Sequence, residues 1–184
     1  MLDVQKTDLE GVMILKPIRL EDERGFFSET YNEQRFIDAG IDARFVQDNH
    51  SRSITQGTVR GLHYQAPPFA QAKLVRVAAG RILDVAVDAR VASPMFGKHV
   101  SIELSAENGA QLFIPEGFLH GFITLEPDTH VIYKVNRYYN RNADGAVRWN
   151  DPDLAIDWGA NIDHATLSEK DAAAPSWKEF KSPF

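Results

Sequence analysis

The chain contains no cysteine, and this absence excludes several classes of site. Disulfide bonds, thiolate zinc centres, iron–sulfur clusters and cysteine nucleophiles all require that side chain. A long apolar run is also missing, because residues 112–125, the stretch most like a membrane span, are too few and include Glu116 and His120. The first residues lack the apolar core of a secretory signal. We therefore expect a cytoplasmic protein without a membrane partner.

Positive charge is scarce in the chain as a whole but concentrated in one segment. The net charge of −6 argues against nucleic acid as a partner. Within residues 44–81, however, Asp48 is the only acid among six basic residues. Two explanations are open: chance clustering on solvated faces, or a local positive field that gathers a small anion such as a phosphorylated metabolite. The basic residues are Arg44, Arg52, Arg60, Lys73, Arg76 and Arg81.

The pattern of short apolar segments predicts an all-β fold. Apolar residues make up 43% of the 184 residues and charged residues 25%, values typical of a folded domain, and no linker divides residues 1–184. Glycine or proline falls at most of the junctions, which indicates a sandwich or barrel of short strands. Short peripheral helices are predicted over residues 33–39, after Asn32, and between Ser168 and Pro175. The predicted strands cover residues 12–15, 26–31, 45–52, 58–64, 73–77, 81–87, 98–104, 111–114, 121–125, 130–139 and 146–149.

Two spaced patterns resemble the motifs of the cupin superfamily. Gly109, Pro115, Gly117 and His120 match the second motif, G-x5-P-x-G-x2-H, with Thr124 where asparagine is usual. Upstream, Gly57 and His63 are similar to the opening of the first motif, and Lys73 and Gly80 are similar to its close. The resemblance implies a double-stranded β-helix, or jelly-roll, barrel.

The metal-ligand positions of that barrel carry unsuitable residues. A metal-binding cupin continues the first motif with a second histidine and then a glutamate, but Gln65 and Lys73 stand there. Two imidazoles, an amide and an ammonium group make a poor metal cage, because a protonated lysine cannot ligate. We therefore predict no metal, and the metal-dependent cupin isomerases and oxygenases are disfavoured. A lone histidine is most often structural, but His63 and His120 on motif positions of one barrel favour acid–base chemistry.

Further segments make the chain similar to one family, the dTDP-4-dehydrorhamnose 3,5-epimerases, from near residue 1 to about residue 175. Residues 176–184 carry no readable signal. The segments are Asp22-Glu-Arg-Gly-Phe-Phe27, Phe45-Val-Gln-Asp-Asn-His50, Arg60-Gly-Leu-His63, Lys73-Leu-Val-Arg76, Asp84-Val-Ala-Val-Asp88, Ile114-Pro-Glu-Gly-Phe118, His120-Gly-Phe122, Tyr133-Lys134, Tyr138-Tyr139, Trp149-Asn-Asp151 and Ser168-Glu-Lys-Asp-Ala-Ala-Ala-Pro175.

The resemblance implies an enzyme that needs no cofactor and inverts C3 and C5 of a dTDP-linked 4-keto-6-deoxyhexose. Such chemistry needs a base, a donor for the enolate oxygen and an acid on the other face of the ring. By resemblance His63 is the base, Tyr133 the acid and Lys73 the enolate stabiliser. The family pattern assigns the orientation of His63 to Asp171, and Asp84 is a rival for that role.

The resemblance also implies a set of binding residues and a homodimer. Arg24, Arg60 and Lys170 would contact the phosphates and sugar, and His120 the sugar. Tyr139 would stack on thymine. Asp144 stands where the family has glutamate, which shortens the carboxylate by one methylene group. The remaining residues, expected around the nucleoside or phosphate, are Glu29, Gln47, Asp48 and Asn49.

Two other functions stay open at this stage. One is a relative that epimerises only one carbon, because small changes in sugar position decide which proton is reached. The other is a non-catalytic module that binds a sugar nucleotide. His63, Tyr133 and Asp171 argue against the module, since binding alone needs no acid and base on opposite faces of a ring.

Overall fold

A computed structural model of the protein describes residues 2–159 and 164–184, and most of its regular structure is β-strand. No helix in these ranges is long and apolar enough to cross a membrane. The helices of the described residues are α1 (Glu33–Asp38) and α2 (Glu169–Ala172). The strands are β1 (Leu2–Lys6), β2 (Met13–Pro17), β3 (Leu20–Asp22), β4 (Gly25–Phe27), β5 (Gln47–Ser53), β6 (Val59–Gln65), β7 (Lys73–Ala79), β8 (Arg81–Asp88), β9 (His99–Ser105), β10 (Gln111–Ile114), β11 (Phe118–Thr124), β12 (Thr129–Val135) and β13 (Asp144–Ala146).

Two antiparallel sheets pack face to face around a common apolar core. The first sheet has the strand order β1-β2-β10-β7-β12-β5 and the second β13-β6-β11-β8-β9. Val75 and Leu112 from the first sheet share one buried cluster with Ile82 and Phe122 from the second. β3 and β4 form a separate hairpin. This arrangement confirms the predicted all-β jelly-roll barrel with short peripheral helices.

Both predicted helices are confirmed, with ends set by side-chain caps. The Asn32 side chain accepts a hydrogen bond from the Arg35 amide (3.2 Å), and Phe36 anchors α1 in an apolar cluster. At α2, the Ser168 hydroxyl accepts from the Asp171 amide (3.1 Å). Such caps satisfy amides that a helix leaves unpaired in its first turn. Each helix ends within two residues of its predicted end.

Several predicted strand bounds are wrong. β1 and β3 are additional strands, and of residues 26–31 only Phe26 and Phe27 are in a strand. β11 begins at Phe118, three residues earlier than predicted. β12 ends at Val135, before residues 136–139. At Asn136 the side-chain oxygen accepts the Ala72 amide (2.8 Å) in place of a backbone carbonyl, and the backbone keeps one long bond, from the Asn136 amide to the Ala72 carbonyl (3.4 Å).

The segment 176–184, for which the sequence provides no prediction, packs against the second sheet. Trp177, Phe180 and Phe184 join the buried cluster around Leu119. The rings of Phe180 and Phe184 lie edge-on to Tyr64, with ring centroids 5.3 and 5.9 Å away. The segment thus covers the side of β6 that faces away from His63, since neighbouring residues of a strand point to opposite faces.

Packing between the sheets should dominate stability. Leu112→Ala removes a fully buried side chain and is expected to lower the free energy of unfolding by about 2–5 kcal/mol. Ile54→Ala, at a site 72% exposed, should change it by less than about 0.5 kcal/mol. Urea denaturation of both variants measures the difference. Equal effects would contradict the assignment of Leu112 to the shared core.

Candidate active site

A cavity of about 390 Å³ opens between the two sheets, and the predicted catalytic residues line it. His63 lies on β6 and His120 on β11, where the two residues are direct partners in the antiparallel register. Lys73 on β7 and Tyr133 on β12 approach from the other sheet. The fold thus brings together residues that are far apart in sequence, and it places His63 and Tyr133 on opposite walls.

His63 contacts a buried carboxylate. Its Nε2 lies 2.5 Å from Asp171 Oδ1, and the second oxygen of Asp171 accepts the Ser168 hydroxyl at 2.9 Å. Burial alone would raise the pKa of Asp171, but the hydrogen bond and charge of His63, together with Ser168, lower it below its usual value. An ionised Asp171 accepts the Nε2 proton, so Nδ1 is the ring nitrogen of His63 that can exchange a proton with a ligand.

The rival carboxylate, Asp84, contacts a different histidine. Asp84 Oδ1 lies 2.7 Å from His120 Nε2, and both side chains are buried. His120 Nδ1 in turn lies 3.5 Å from Lys73 Nζ. Burial lowers the pKa of Lys73 to about 8, opposed by the charges of Asp84 and Asp144. Burial also lowers the pKa of His120. These directions indicate a neutral imidazole beside an ammonium group that gives up its proton easily.

Tyr133 keeps its proton at neutral pH. Burial is the largest cause that raises the pKa of its hydroxyl, and the charge of Asp144 adds to it while Arg60 opposes it. A protonated phenol on the wall opposite His63 can donate to a reacting carbon. Tyr133 therefore has the environment of an acid, whereas His63 and Asp171 have that of a base.

An outer cavity of about 490 Å³ continues from the inner one and shares His63, Lys73, Tyr133 and Lys170 with it. Asp144 and Lys170 form an ion pair on its wall, with 2.5 Å between Oδ2 and Nζ. The Tyr139 hydroxyl lies 3.3 Å from the same carboxylate oxygen, so the shortened Asp144 is held by both neighbours. The other predicted binding residues on this wall are Gln47, Asn49 and Tyr139.

The concentrated positive charge of residues 44–81 contributes only in part to this cleft. Arg60 and Lys73 line it, whereas Arg52 pairs with Asp128 and Arg81 with Glu126. Among the described residues no carboxylate forms an ion pair with Arg60, whose Nε lies 3.3 Å from the Ser53 hydroxyl. Its charge is available for an anionic ligand.

Three of the predicted binding residues lie outside the cleft of the described chain. Asp48 points to the other face of β5 from its neighbours and pairs with Lys134 (2.9 Å). Arg24 sits at the tip of the β3–β4 hairpin beside Asp22. Glu29 follows that hairpin and pairs with Arg35 (2.9 Å).

Gln65, which occupies a metal-ligand position of the cupin motif, has its amide engaged with backbone groups. Its Nε2 donates to the Phe69 carbonyl (2.7 Å), and its Oε1 accepts from the Asn140 amide (2.6 Å). These two hydrogen bonds order the loops that border the outer cavity.

Across residues 2–159 and 164–184 no group of three histidine, aspartate or glutamate side chains could hold a metal ion.

The inner cavity also has lining residues that the sequence did not single out. Ser51 follows Asn49 on the same face of β5, and alternation along the strand was the available signal. The hydroxyl of Ser51 is buried and has no hydrogen-bond partner among the described residues. Phe122 follows His120 on the same face of β11, so the same alternation applies to it. Thr58 and Leu167 have no comparable signal, because they lie outside the strands.

Comparison with known proteins agrees with the geometry of the cleft. A family model described as dTDP-4-dehydrorhamnose 3,5-epimerase matches residues 6–179. The Sinorhizobium fredii protein of that name is 48% identical over 180 residues, which cover 98% of this chain and 92% of the relative.

Two solved structures extend the likeness to three dimensions. The Bacillus anthracis dTDP-4-dehydrorhamnose 3,5-epimerase, solved with TDP and PPi bound, is 45% identical with a TM-score of 0.93, and the match covers 96% of this chain and 99% of that one. The Legionella pneumophila dTDP-6-deoxy-D-glucose-3,5-epimerase, in complex with dTDP-4-keto-L-rhamnose, is 43% identical with a TM-score of 0.93. That match covers 98% and 95% of the two chains.

The His63–Asp171 contact should make stability depend on pH. Because the pKa of Asp171 is lower in the folded state, its ionisation stabilises the fold at neutral pH, and that contribution is lost as pH falls. In urea denaturation, Asp171→Asn should be less stable than wild type at pH 7, and the gap should narrow between about pH 5 and pH 3. Asp3→Asn, at an exposed site, is the control. A gap that stays constant over this range would contradict the assignment.

Proposed function

The chain belongs to the dTDP-4-dehydrorhamnose 3,5-epimerase family, and on that basis we propose that it inverts C3 and C5 of dTDP-4-dehydro-6-deoxy-D-glucose to give dTDP-4-dehydro-L-rhamnose. The observation that carries the proposal is the 2.5 Å contact of His63 with Asp171, on the wall of the cavity opposite Tyr133. The reaction moves protons only and requires no cofactor.

His63 Nδ1 removes the proton from the carbon next to the C4 ketone. That C–H bond is weakly acidic because the resulting charge moves onto the C4 oxygen as an enolate. Asp171 orients the ring and stabilises the imidazolium that forms, as a buried carboxylate does when it accepts the other ring N–H. The short contact between Nε2 and Asp171 restricts rotation of the imidazole, so Nδ1 faces the cavity.

Lys73 and Tyr133 complete the exchange. The Lys73 ammonium stabilises the enolate oxygen as a point charge in a partly buried cavity, where charges interact more strongly than in water. The Tyr133 hydroxyl then donates a proton to the opposite face of the same carbon, which inverts it. The phenolate is reprotonated by solvent and His63 loses its proton, and a second cycle acts on the other carbon.

The outer cavity, together with the cationic residues of the inner one, suits the nucleoside diphosphate. Arg60 and Lys170 offer cationic donors to the phosphates, and arginine can make two parallel hydrogen bonds to a phosphate. Tyr139 is 57% exposed and presents a flat ring for the thymine. His120 contacts the sugar. The polar side chains Gln47 and Asn49, with the carboxylate of Asp144, complete this wall.

Solvent exchange tests the reaction directly. In D2O the wild-type protein should incorporate deuterium at both C3 and C5 of dTDP-4-dehydro-6-deoxy-D-glucose, followed by mass spectrometry and proton NMR. His63→Ala should slow the exchange at least about 100-fold, the usual contribution of a general base. His99→Ala changes a histidine of β9 that does not line the cleft, and should leave the rate unchanged.

The other outcomes of this experiment are equally informative. Uptake at only one carbon would replace the proposal by a mono-epimerase. No uptake above the uncatalysed rate, with the sugar nucleotide still bound, would favour a non-catalytic binding module. Tyr133→Phe distinguishes the acid from the base, since exchange through His63 should continue while inverted product falls.

A homodimer of single-domain chains, spanning residues 1–184 and located in the cytoplasm, is also part of the proposal. The β3–β4 hairpin supports it, because Leu20, Phe26 and Phe27 are 64, 58 and 70% exposed and form an apolar surface unusual for a free monomer. When a second copy covers this hairpin, the Arg24 and Glu29 of the hairpin's own chain would lie at the cleft of that second copy. This arrangement gives both residues the binding role that the family resemblance implies.

Light scattering and kinetics test the dimer together. The mass in solution should be twice the 20.7 kDa of the chain. Arg24→Ala should raise KM about tenfold with little change in kcat, because the loss of one exposed phosphate contact costs about 1.4 kcal/mol. Lys178→Ala, at a side chain 79% exposed, is the charge-matched control. A monomeric mass, or an unchanged KM in Arg24→Ala, would overturn this part of the proposal.

A further inference from the structure

We propose that Asp84 is a positioning residue that acts through His120 to hold the ammonium group of Lys73 in the cavity and to maintain its positive charge. Asp84 does not line either cavity, so it does not touch the substrate itself. The inference rests on the proposed function, in which Lys73 stabilises the enolate, and it assigns a cause to the charge of that residue.

Three side chains form a connected row across three strands. Asp84 on β8 contacts His120 on β11 at 2.7 Å, and His120 lies 3.5 Å from Lys73 on β7. A carboxylate can only accept a hydrogen bond, so Nε2 of His120 carries the proton and donates it to Asp84. Nδ1 is then left unprotonated and faces the Lys73 ammonium as an acceptor. The row crosses from the second sheet to the first and fixes where the Lys73 head group lies.

The burial of Asp84 indicates that its charge has a use. The side chain is completely buried, and among the described residues its second oxygen, Oδ2, has no hydrogen-bond partner. A buried carboxylate with an unpaired oxygen costs free energy, and an apolar residue would avoid that cost. What Asp84 supplies in return is a negative charge close to a buried lysine, which favours the ammonium form.

The other charged groups around Lys73 supply less of that effect than Asp84. Asp144 on β13 and Lys170 on α2 form an ion pair with each other (2.5 Å), and their opposite charges act on Lys73 in opposite directions. His63 on β6 pairs with Asp171, and Tyr133 on β12 stays protonated. Asp84 is therefore the carboxylate near Lys73 whose charge no cation neutralises in the part of the chain that the structure describes.

His120 is not placed to act as a second base. His63 has a free Nδ1 that faces the cavity, but the corresponding nitrogen of His120 faces a cation. The Lys73 charge lowers the pKa of His120 further, after burial. An imidazole in this position holds Lys73 in place and does not compete with His63 for a proton.

The pKa of Lys73 can be measured without any turnover. The rate of acetylation by acetic anhydride follows the unprotonated amine, and peptide mass spectrometry assigns the rate to Lys73 at each pH. Asp84→Asn keeps the hydrogen bond from His120 but removes the charge, so it should lower the Lys73 pKa by about one unit or more. Glu103→Gln removes a charge from an exposed site on β9 and should leave it unchanged. An unchanged Lys73 pKa in Asp84→Asn would overturn the proposal.

The pH profile of kcat/KM provides the second readout. In Asp84→Asn the alkaline limb should move to lower pH by the same amount, with activity recovered at pH values where Lys73 is still protonated. A merely structural role would reduce activity at every pH. Asp84→Glu, which retains the charge, should restore the position of the limb, and failure to do so while the variant folds would count against the proposal.

Folding and the proposed function are controlled separately. Should Asp84→Asn lose the circular-dichroism spectrum of the wild type, Asp84→Ser takes its place, because the serine hydroxyl can accept from His120 without charge. The same Lys73 pKa criterion applies to it. If the wild-type protein shows no solvent exchange with the sugar nucleotide, the proposed function fails, yet acetylation still decides whether Asp84 controls the charge of Lys73.

Discussion

The pairing of β11 with β6 on one side and β8 on the other is the constraint on which the site depends. These antiparallel ladders place His120 directly opposite His63 and two residues from the register partner of Asp84. Both histidines can then face the interior, and each can meet a carboxylate of its own. Because a shift of one residue would turn every side chain of β11 to the other face, the apolar core and the site require the same register.

The sequence predicts part of this site from short-range spacing. Two incomplete cupin motifs place His63 and His120 in one barrel mouth, and the structure makes them cross-strand partners. Asp171 is 108 residues from His63, and no local pattern connects them, so only the family resemblance pointed to it. Contacts of this kind depend on where a peripheral helix docks. The Ser168 cap predicts that helix but not the surface on which it packs.

The residues that fall outside the cleft have different physical explanations. Asp48 stands between Gln47 and Asn49 in one strand, and strand alternation turns it to the opposite face. Arg24 lies on an exposed hairpin, so its role depends on a surface that one chain does not contain. The aromatic residues of the segment 176–184, Trp177, Phe180 and Phe184, are spaced three and four residues apart as in a helix, yet the segment forms no helix. Their burial follows from the apolar side of β6, a property of the assembled sheet.

One physical cause, removal from water, divides the roles of the ionisable groups. Burial favours the neutral form of each group, so it raises the pKa of Tyr133 and lowers the pKa of Lys73 to about 8. Burial alone would also raise the pKa of Asp171 and favour its neutral form, but the hydrogen bonds from His63 and Ser168 reverse that tendency. Proton donor and proton acceptor thus differ in their local hydrogen bonds and share the same desolvated cavity. Which groups keep a proton and which lose it therefore depends on which buried side chains have a compensating hydrogen-bond partner.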